Sequence, residues 1–356
     1  MSNRSRPPTR ITSGTFDAAQ QIAQLQTANL SLLRQLARAK ARRDELVQAV
    51  YDGAETAASA LTIPPVRAPK PDTRKHTAEA AIVILSDWQL AKRTASYNSA
   101  VCATRIEQYA DKVEQLTAIQ RADHPVRECH IYLLGDLVEG ELIFGNQAHL
   151  IDASLFDQVM VTGRRILVNF VRRMLATFET VHVAGVVGNH GDLGGGPFRK
   201  AYHPESNADA MLYETSRLIL KGDEGDAREP RLTWASNRVS GERLWYAVHT
   251  VGDKAWLLFH GDQVPTSIVG GPVWERRILG WRAGAIKEQF HYACSGHYHR
   301  PGRHLYGTIE HWASGSTESD NTHAAERYGS MGLPTQWLLF QHLQRGISAE
   351  YLVRLA

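Results

Sequence analysis

The sequence has little cysteine and no long apolar run. Its three cysteines, Cys102, Cys129 and Cys294, stand far apart and in no metal-binding spacing. This argues against a cysteine-based zinc site or a disulfide framework, and it predicts a reducing compartment. No stretch approaches the roughly 18 apolar residues of a membrane-spanning helix, so we predict no membrane partner. The basic, polar beginning lacks the apolar core of a secretory signal, and we therefore expect a cytoplasmic protein.

Charge is divided unevenly along the chain. The first 78 residues carry 12 Lys and Arg against 6 Asp and Glu, a net charge of +6, whereas the remainder carries −3. A basic segment of this kind is compatible with nucleic-acid contact, and equally with a solvated helix face.

The pattern along the chain predicts four parts. Residues 1–15 indicate a disordered basic tail, residues 16–55 a helix, residues 56–78 a Pro-rich linker and residues 79–356 a globular domain. An apolar heptad seam runs through residues 16–50 and predicts a coiled coil that associates with a second copy as a dimer or higher oligomer. The alternative is a single amphipathic helix packed on the domain or on another protein.

Short apolar runs alternate with helical patterns in the domain. The helical patterns lie near residues 103–121 and 155–177. The predicted strands are Ala80–Leu85, Ile131–Leu134, Val181–Val187, Ala255–Phe259, Tyr292–Cys294 and a hairpin of Gln336–His342 with Ala349–Leu355. Helices between the early strands and hairpins among the later ones predict a layered α/β sandwich.

Polar side chains follow five of these strands directly. They are Asp87 and Gln89, Asp136 and Glu139, Asn189, His190 and Asp192, His260 and Asp262, and His297 and His299. Since ligands of α/β proteins gather at the carboxyl ends of strands, we expect these groups to share one cleft. Each group alone has an ordinary explanation as a helix cap or a turn, but the five together predict a functional site.

The chemistry of this set is that of a divalent metal site. Carboxylate, amide and imidazole ligands without thiolates suit Mn, Fe or Zn. A pair of ions about 4 Å apart needs a bridging carboxylate. A neighbouring imidazole that is not a ligand can protonate a leaving oxygen.

The ordered blocks resemble those of the calcineurin-like metallophosphoesterases, which run D-x-H, GD-x-x, GNH, a lone His and GH-x-H. The corresponding blocks here are Asp87-Trp88-Gln89, Gly135-Asp136, Gly188-Asn189-His190, His260, and Gly296-His297-Tyr298-His299. The match extends over residues 80–300 and, with the C-terminal hairpin, over most of the domain.

This resemblance implies a four-layer α/β/β/α sandwich, here preceded by the helical coiled coil. It implies two divalent metal ions, with Mn preferred and Fe, Zn or Mg as alternatives. Asp136 would bridge the ions, and a bridging hydroxide would attack the phosphate while His190 acts as the acid. The implied ligands are Asp87, Gln89 and His299 for the first ion and Asn189, His260 and His297 for the second.

Two departures from the family pattern limit the function. Gln89 stands where the family has histidine, and an amide oxygen is a weaker ligand, so the first site would favour Mn or Mg. A binding or scaffold protein with a vestigial metal site is therefore one alternative. The segment GDLVEG at residues 135–140 replaces the pattern of protein Ser/Thr phosphatases, which disfavours that activity.

The blocks at residues 139–147, 188–192 and 260–281 resemble phage- and prophage-borne members related to DNA-repair exonucleases. This implies a phosphodiesterase acting on nucleic acid, most specifically a DNA nuclease in the host cytoplasm. A small-molecule or cyclic-nucleotide phosphodiesterase, or a nucleotidase, is the other alternative.

Several basic and aromatic residues are candidates for contact with such a substrate. The candidate phosphate contacts are Arg199, Lys200, Arg276, Arg277, Arg282 and Arg300. Trp88, Trp274 and Trp281 are candidates for base stacking. For each of them an ordinary surface charge or buried packing is the competing interpretation.

Overall fold

The computed structural model describes residues 63–141, 143, 147–193, 206–226, 228–235, 237–239, 242–321, 326 and 332–355. They belong to a compact unit that spans Gly53–Ala356. The predicted basic tail at 1–15 and the predicted coiled coil at 16–55 lie outside the described residues. So do Arg199 and Lys200.

Fifteen strands and four α-helices make up the described part of the chain. The strands are β1 (Glu79–Leu85), β2 (Val126–Leu133), β3 (Thr180–Gly185), β4 (Gly225–Asp226), β5 (Glu229–Pro230), β6 (Leu232–Trp234), β7 (Arg238–Val239), β8 (Glu242–Arg243), β9 (Tyr246–Val251), β10 (Lys254–Phe259), β11 (Tyr292–Ser295), β12 (Gly302–Tyr306), β13 (Ile309–Ala313), β14 (Thr335–His342) and β15 (Gly346–Arg354). The helices are α1 (Ser99–Gln120), α2 (Arg164–Thr177), α3 (Ala208–Ile219) and α4 (Pro272–Gly280). Short 3-10 turns occur at Gln147–His149 and Leu220–Asp223, and π-helical turns at Asp157–Gly163 and Trp281–Ala285.

Two large sheets organise the domain. The first has six strands in the order β15-β14-β1-β2-β3-β6, and β1, β2, β3 and β6 run parallel. The second has five strands in the order β12-β13-β11-β10-β9, with β10, β11 and β13 parallel. Parallel strands end at the same edge of a sheet, so the segments that follow β1, β2 and β3 begin side by side.

The two sheets pack face to face and carry helices outside. Ile82 and Leu339 of the first sheet share one buried cluster with Trp256 and Leu258 of the second. On the other face of the second sheet, Phe259 packs in a separate cluster with residues of α4. On the first sheet, Tyr109 of α1 donates a hydrogen bond to a carbonyl of β14. The order helix, sheet, sheet, helix confirms the prediction of a mixed α/β fold.

The predicted strands are present, with differences at their ends. β1 is buried throughout, as its continuous apolar sequence indicates. β2 begins at Val126, five residues before the predicted start, because Arg127, Glu128 and His130 are polar residues within the strand. A search for apolar runs excludes such residues, although a partly buried strand accommodates them. β13 was not predicted at all.

The described residues that precede β1, 63–78, form no helix or strand and are hydrogen-bonded to the domain. The Val66 amide donates to Asp223 Oδ1 at 2.6 Å, and Arg231 Nη1 donates to the Val66 carbonyl at 2.7 Å. Arg127 Nε donates to the carbonyl of Asp72 at 2.7 Å. The three cysteines are buried and unpaired. In the part of the chain that the structure describes, no helix combines the length and the apolar character needed to cross a membrane.

Candidate metal centre

The seven predicted metal ligands lie at the ends of five strands, on the edge where both sheets present their parallel carboxyl ends. Asp87 and Gln89 follow β1, Asp136 follows β2 and Asn189 follows β3 in the first sheet. His260 follows β10, and His297 and His299 follow β11 in the second. Both sheets therefore contribute to one site.

Asp136 lies between side chains from both sheets. Its Oδ2 is 3.0 Å from His260 Nε2 and 3.4 Å from Gln89 Nε2. His260 Nε2 is also 3.1 Å from Asn189 Oδ1 and 3.2 Å from His297 Nδ1. Asp136, His260 and His297 each offer one ligand atom, and these atoms lie within 4.8 Å of one another.

Asp87 connects a second group to the first. Its Oδ1 is 3.2 Å from His299 Nε2 and accepts the backbone N–H of His297 at 3.0 Å. Gln89 lies two residues further along the chain. Contacts of 3.4 Å or less therefore link all seven predicted ligands.

The side chains present fit a divalent cation. Gln89 Oε1 is buried and has no hydrogen-bond partner among the described residues. Leaving a buried acceptor unsatisfied costs about 1–3 kcal/mol, and an ion next to Asp136 removes that cost. Carboxylate, amide and imidazole groups are also the ligands that Mn, Fe and Zn accept.

Five of the predicted ligands have a strained backbone conformation, which orients their side chains. Asp87, Gln89, Asp136, His297 and His299 all have positive φ, between 50° and 72°. Residues other than glycine adopt this region at a cost of about 1–3 kcal/mol each, and such strain concentrates at functional sites. Five strained residues from the predicted ligand set at one edge favour a functional site over a set of ordinary turns.

Two glycines allow the strained loops to approach each other. A Cβ at Gly188 would lie 2.1 Å from Asp136 Oδ1, and a Cβ at Gly296 would lie 2.2 Å from Asp87 Oδ2. Any side chain at either position would displace a carboxylate of the site.

His190 lies beside the centre and is held through one ring nitrogen. Its Nδ1 is 3.1 Å from the Glu139 carbonyl oxygen, and its Nε2 is 3.9 Å from Asp136 Oδ2. Burial by itself would lower the pKa of His190, but the carboxylates of Asp136 and Glu139 outweigh it and raise the pKa to about 9. In the metal-free protein these carboxylates therefore favour the protonated imidazole.

The pKa values of the three predicted histidine ligands differ widely. Burial opposes protonation of His260 and His299, but nearby carboxylates outweigh it and raise the pKa of each to about 10. For His297, burial and the neighbouring His260 lower the pKa to about 2. Protons on His260 and His299 balance the buried carboxylates, and a metal ion would displace them.

Glu318 and Lys92 belong to the site and were not predicted. Glu318 Oε1 is 2.6 Å from His299 Nδ1, and its other oxygen pairs with the Lys92 ammonium group. Glu318 follows β13, so it too stands after a parallel strand of the second sheet. The missing prediction of β13 explains why it was overlooked.

Asp209 shapes the loop that carries Asp136 and was also missed. Its carboxylate accepts backbone N–H groups of Asp136 at 2.9 Å, Gly188 at 2.9 Å and Leu137 at 3.0 Å. Burial, and then the Asp136 charge, raise the pKa of Asp209 to about 6. In the sequence it is only an acidic residue in the first turn of an amphipathic helix, a common arrangement.

The predicted substrate contacts differ in how exposed they are in the structure. Arg276 and Arg277 are exposed on α4, while Arg282 Nε donates to the Phe290 carbonyl at 2.8 Å and is thereby engaged within the domain. Arg300 directly follows His299 and is half-buried.

The three tryptophans are packed inside the domain. Trp88 and Trp274 are 0% exposed and Trp281 is 6% exposed. The suggestion that they stack on bases is therefore wrong, because their ring faces are covered by the protein.

Comparisons with known proteins give remote structural likenesses. No protein-family model matches the chain. No curated protein matches it by sequence. A conserved uncharacterised protein from Streptococcus pneumoniae, described as a predicted phosphoesterase, is 12% identical, with 78% of this chain and 99% of that chain covered and a TM-score of 0.31.

Two further solved structures are similarly distant. Zinc-complexed Vps29 from Entamoeba histolytica is 13% identical, with 78% of this chain and 99% of that chain covered and a TM-score of 0.32. A novel archaeal phosphodiesterase is 12% identical, with 77% and 99% covered and a TM-score of 0.33.

Proposed function

We propose that this chain is a metal-dependent phosphoesterase. The observation that supports this most directly is the position of Asp136, whose buried Oδ2 lies 3.4 Å from the Gln89 side-chain amide of the first sheet and 3.0 Å from His260 Nε2 of the second. A buried carboxylate shared between two sets of ligands is what a pair of ions requires.

The predicted ligands would form two sets, one for each ion. Asp87, Gln89 and His299 would hold one ion, Asn189, His260 and His297 would hold the other, and Asp136 would serve both. When bound, such ions polarise a phosphate and provide a water nucleophile at neutral pH. Glu318 holds the His299 ring through Nδ1, which directs Nε2 towards Asp87.

His190 supplies the proton for the departing oxygen. The Glu139 carbonyl holds its Nδ1, so the ring presents Nε2 on the side of Asp136. Protonation of a leaving group by a positioned imidazole contributes about 100- to 10,000-fold to a rate.

We further propose that the ester is a nucleic-acid phosphodiester, with DNA as the substrate. Exposed Arg276 and Arg277 on α4 support this, since α4 follows the loop that begins at His260. Arginines at such positions can contact a phosphate backbone.

The test is incubation of the full chain with Mn and labelled linear, nicked and single-stranded DNA, beside bis(p-nitrophenyl) phosphate. Cleavage of DNA supports the nuclease. Hydrolysis of the generic diester or of cyclic nucleotides alone supports the small-molecule alternative. No metal-dependent turnover of any ester would leave the scaffold alternative, which the amide at Gln89 favours.

We also propose that residues 16–50 mediate self-association. Removal of residues 1–52 leaves the compact unit that begins at Gly53. Light scattering should then give the mass of a single truncated chain, whereas the full chain should give a multiple of its 39.6 kDa. An unchanged stoichiometry would assign the contact to the domain.

A further inference from the structure

A second group of potential ligands lies away from the Asp136 centre. Glu128 and His130 are on β2, and His182 is on β3 directly opposite His130 in the parallel register. His130 precedes Asp136 by six residues, which corresponds to roughly 20 Å along an extended chain. The group therefore belongs to the interior of the sheet and not to the edge where the strands end.

These three side chains are close enough to share an ion. Each offers one ligand atom, and the three atoms lie within 4.8 Å of one another. Glu128 Oε2 is 3.5 Å from His130 Nε2, and the rings of His130 and His182 stack with centroids 4.8 Å apart. Residues 128 and 130 point to one face of β2 because side chains alternate along a strand.

Both imidazoles are already oriented through Nδ1. His130 Nδ1 is hydrogen-bonded to His249 Nε2 at 2.9 Å, and His182 Nδ1 to Thr233 Oγ1 at 2.7 Å. Metal-binding histidines are typically held in this way through the nitrogen that does not bind the metal. The Nε2 atoms remain as the ligand atoms.

One of these nitrogens is buried and makes no hydrogen bond within the described part of the chain, although the Glu128 carboxylate lies 3.5 Å from it. His130 Nε2 has no hydrogen-bond partner among the described residues, and its side chain is 4% exposed. The Glu128 side chain is 40% exposed, so solvent reaches the group from that side. His130 Nε2 therefore lies beside a carboxylate and a second imidazole without making a hydrogen bond to a described residue. A cation contacted by all three groups would account for this arrangement.

We propose that Glu128, His130 and His182 bind a divalent transition-metal ion of the zinc class, with solvent completing the coordination. The ion cross-links β2 and β3, the strands whose ends carry Asp136 and Asn189. Two imidazoles and one carboxylate are borderline ligands, which favours zinc or cobalt over magnesium or calcium. This site is independent of the proposed phosphoesterase centre.

The test counts ions bound to the full chain after equilibration with zinc alone and removal of the excess. Glu128→Gln and His182→Gln should each bind one ion fewer than the unmodified chain. The matched controls are Glu107→Gln and His76→Gln, which alter exposed residues of the same types. The controls should bind as many ions as the unmodified chain.

Cobalt provides a second readout, because its visible absorption reports the ligands directly. Asp136→Asn should lose ions of the phosphoesterase centre and keep the cobalt signal that Glu128→Gln removes. Should His182→Gln fail to fold, the half-exposed Glu128→Gln still decides the question. Equal ion counts and spectra in Glu128→Gln and the unmodified chain would overturn the proposal, whatever the result for Asp136→Asn.

Discussion

His299 and Glu318 are joined by a contact of 2.6 Å between Nδ1 of the imidazole and Oε1 of the carboxylate. The opposite nitrogen of the same ring lies 3.2 Å from Asp87 Oδ1. One side of the imidazole is therefore fixed by the loop after β13, and the other faces the predicted first ion. This carboxylate–histidine arrangement is typical of metal sites.

Replacing Glu318 by Gln should weaken the first metal site about 10- to 100-fold, the usual effect of losing a partner that orients a ligand. The measurement is the Mn concentration that half-saturates hydrolysis of a generic diester. Glu310→Gln is the control, since Glu310 pairs with Arg303 on another part of the domain. Half-saturation at the same Mn concentration in Glu318→Gln would show that Glu318 does not support the site.

Asp136→Asn should abolish turnover and release both ions. The substitution keeps the size of the side chain but removes the negative charge that both ligand sets share. Metal analysis of the purified variant, beside a diester assay, measures both effects, and Asp111→Asn on the surface is the control. If the variant retains both ions, Asp136 does not bridge them.

His190→Gln should retain the metals and slow turnover by about 100- to 10,000-fold. The loss should be largest for an ester with a poor leaving group, such as a nucleoside alkoxide, and small for p-nitrophenolate, which leaves without a proton. Comparing the two esters tests the acid role directly. An equal loss for both would assign His190 to positioning and not to proton transfer.

Gln89→His should tighten the first site, because imidazole is a stronger ligand than an amide oxygen for Mn or Zn. Titration calorimetry of the metal-free protein measures the affinity. The expected result is a lower dissociation constant for one of the two ions. Unaltered affinity for both would mean that Gln89 is not a ligand.

The metal-free protein should lose stability as the pH falls from about 6.5 towards 4. Burial lowers the pKa of His182 to about 4 and that of His249 to about 3, against an ordinary value of 6.5. Below pH 6.5 the unfolded chain takes up protons that the folded chain does not, so the free energy of unfolding falls. Above pH 6.5 this contribution is complete.

Urea unfolding between pH 4 and 7.5 with a chelator present measures this dependence. His249→Gln should show a shallower fall of the unfolding free energy across that window, because one of the buried histidines with a lowered pKa is gone. A slope as steep as that of the unmodified chain would show that His249 is already protonated in the folded state.

The clustering of the candidate ligands could be predicted from the sequence because each lies just after an apolar strand. Asp87, Asp136 and Asn189 follow the parallel strands β1, β2 and β3, and the order of the motifs indicates that they meet. A local sequence pattern is sufficient to predict a candidate ligand when that residue directly follows its strand in the chain.

Side chains that support the ligands could not be found in this way. Glu318 reaches His299 from a loop after a strand whose sequence is too polar to be recognised, and Asp209 reaches the Asp136 loop from a helix. Their roles depend on which segments the fold brings together, and a hydrogen bond between residues far apart in the chain leaves no local signal.

The sequence by itself determined at which edge of the sheets the candidate ligands lie. Apolar runs and the polar residues that follow them are properties of short segments, so they can be recognised without the fold. Only the tertiary structure decided that Trp88 is packed inside the domain, that Glu318 holds His299, and that His130 and His182 lie side by side between the sheets. Those outcomes follow from strand register and sheet packing, which depend on contacts summed over the whole domain.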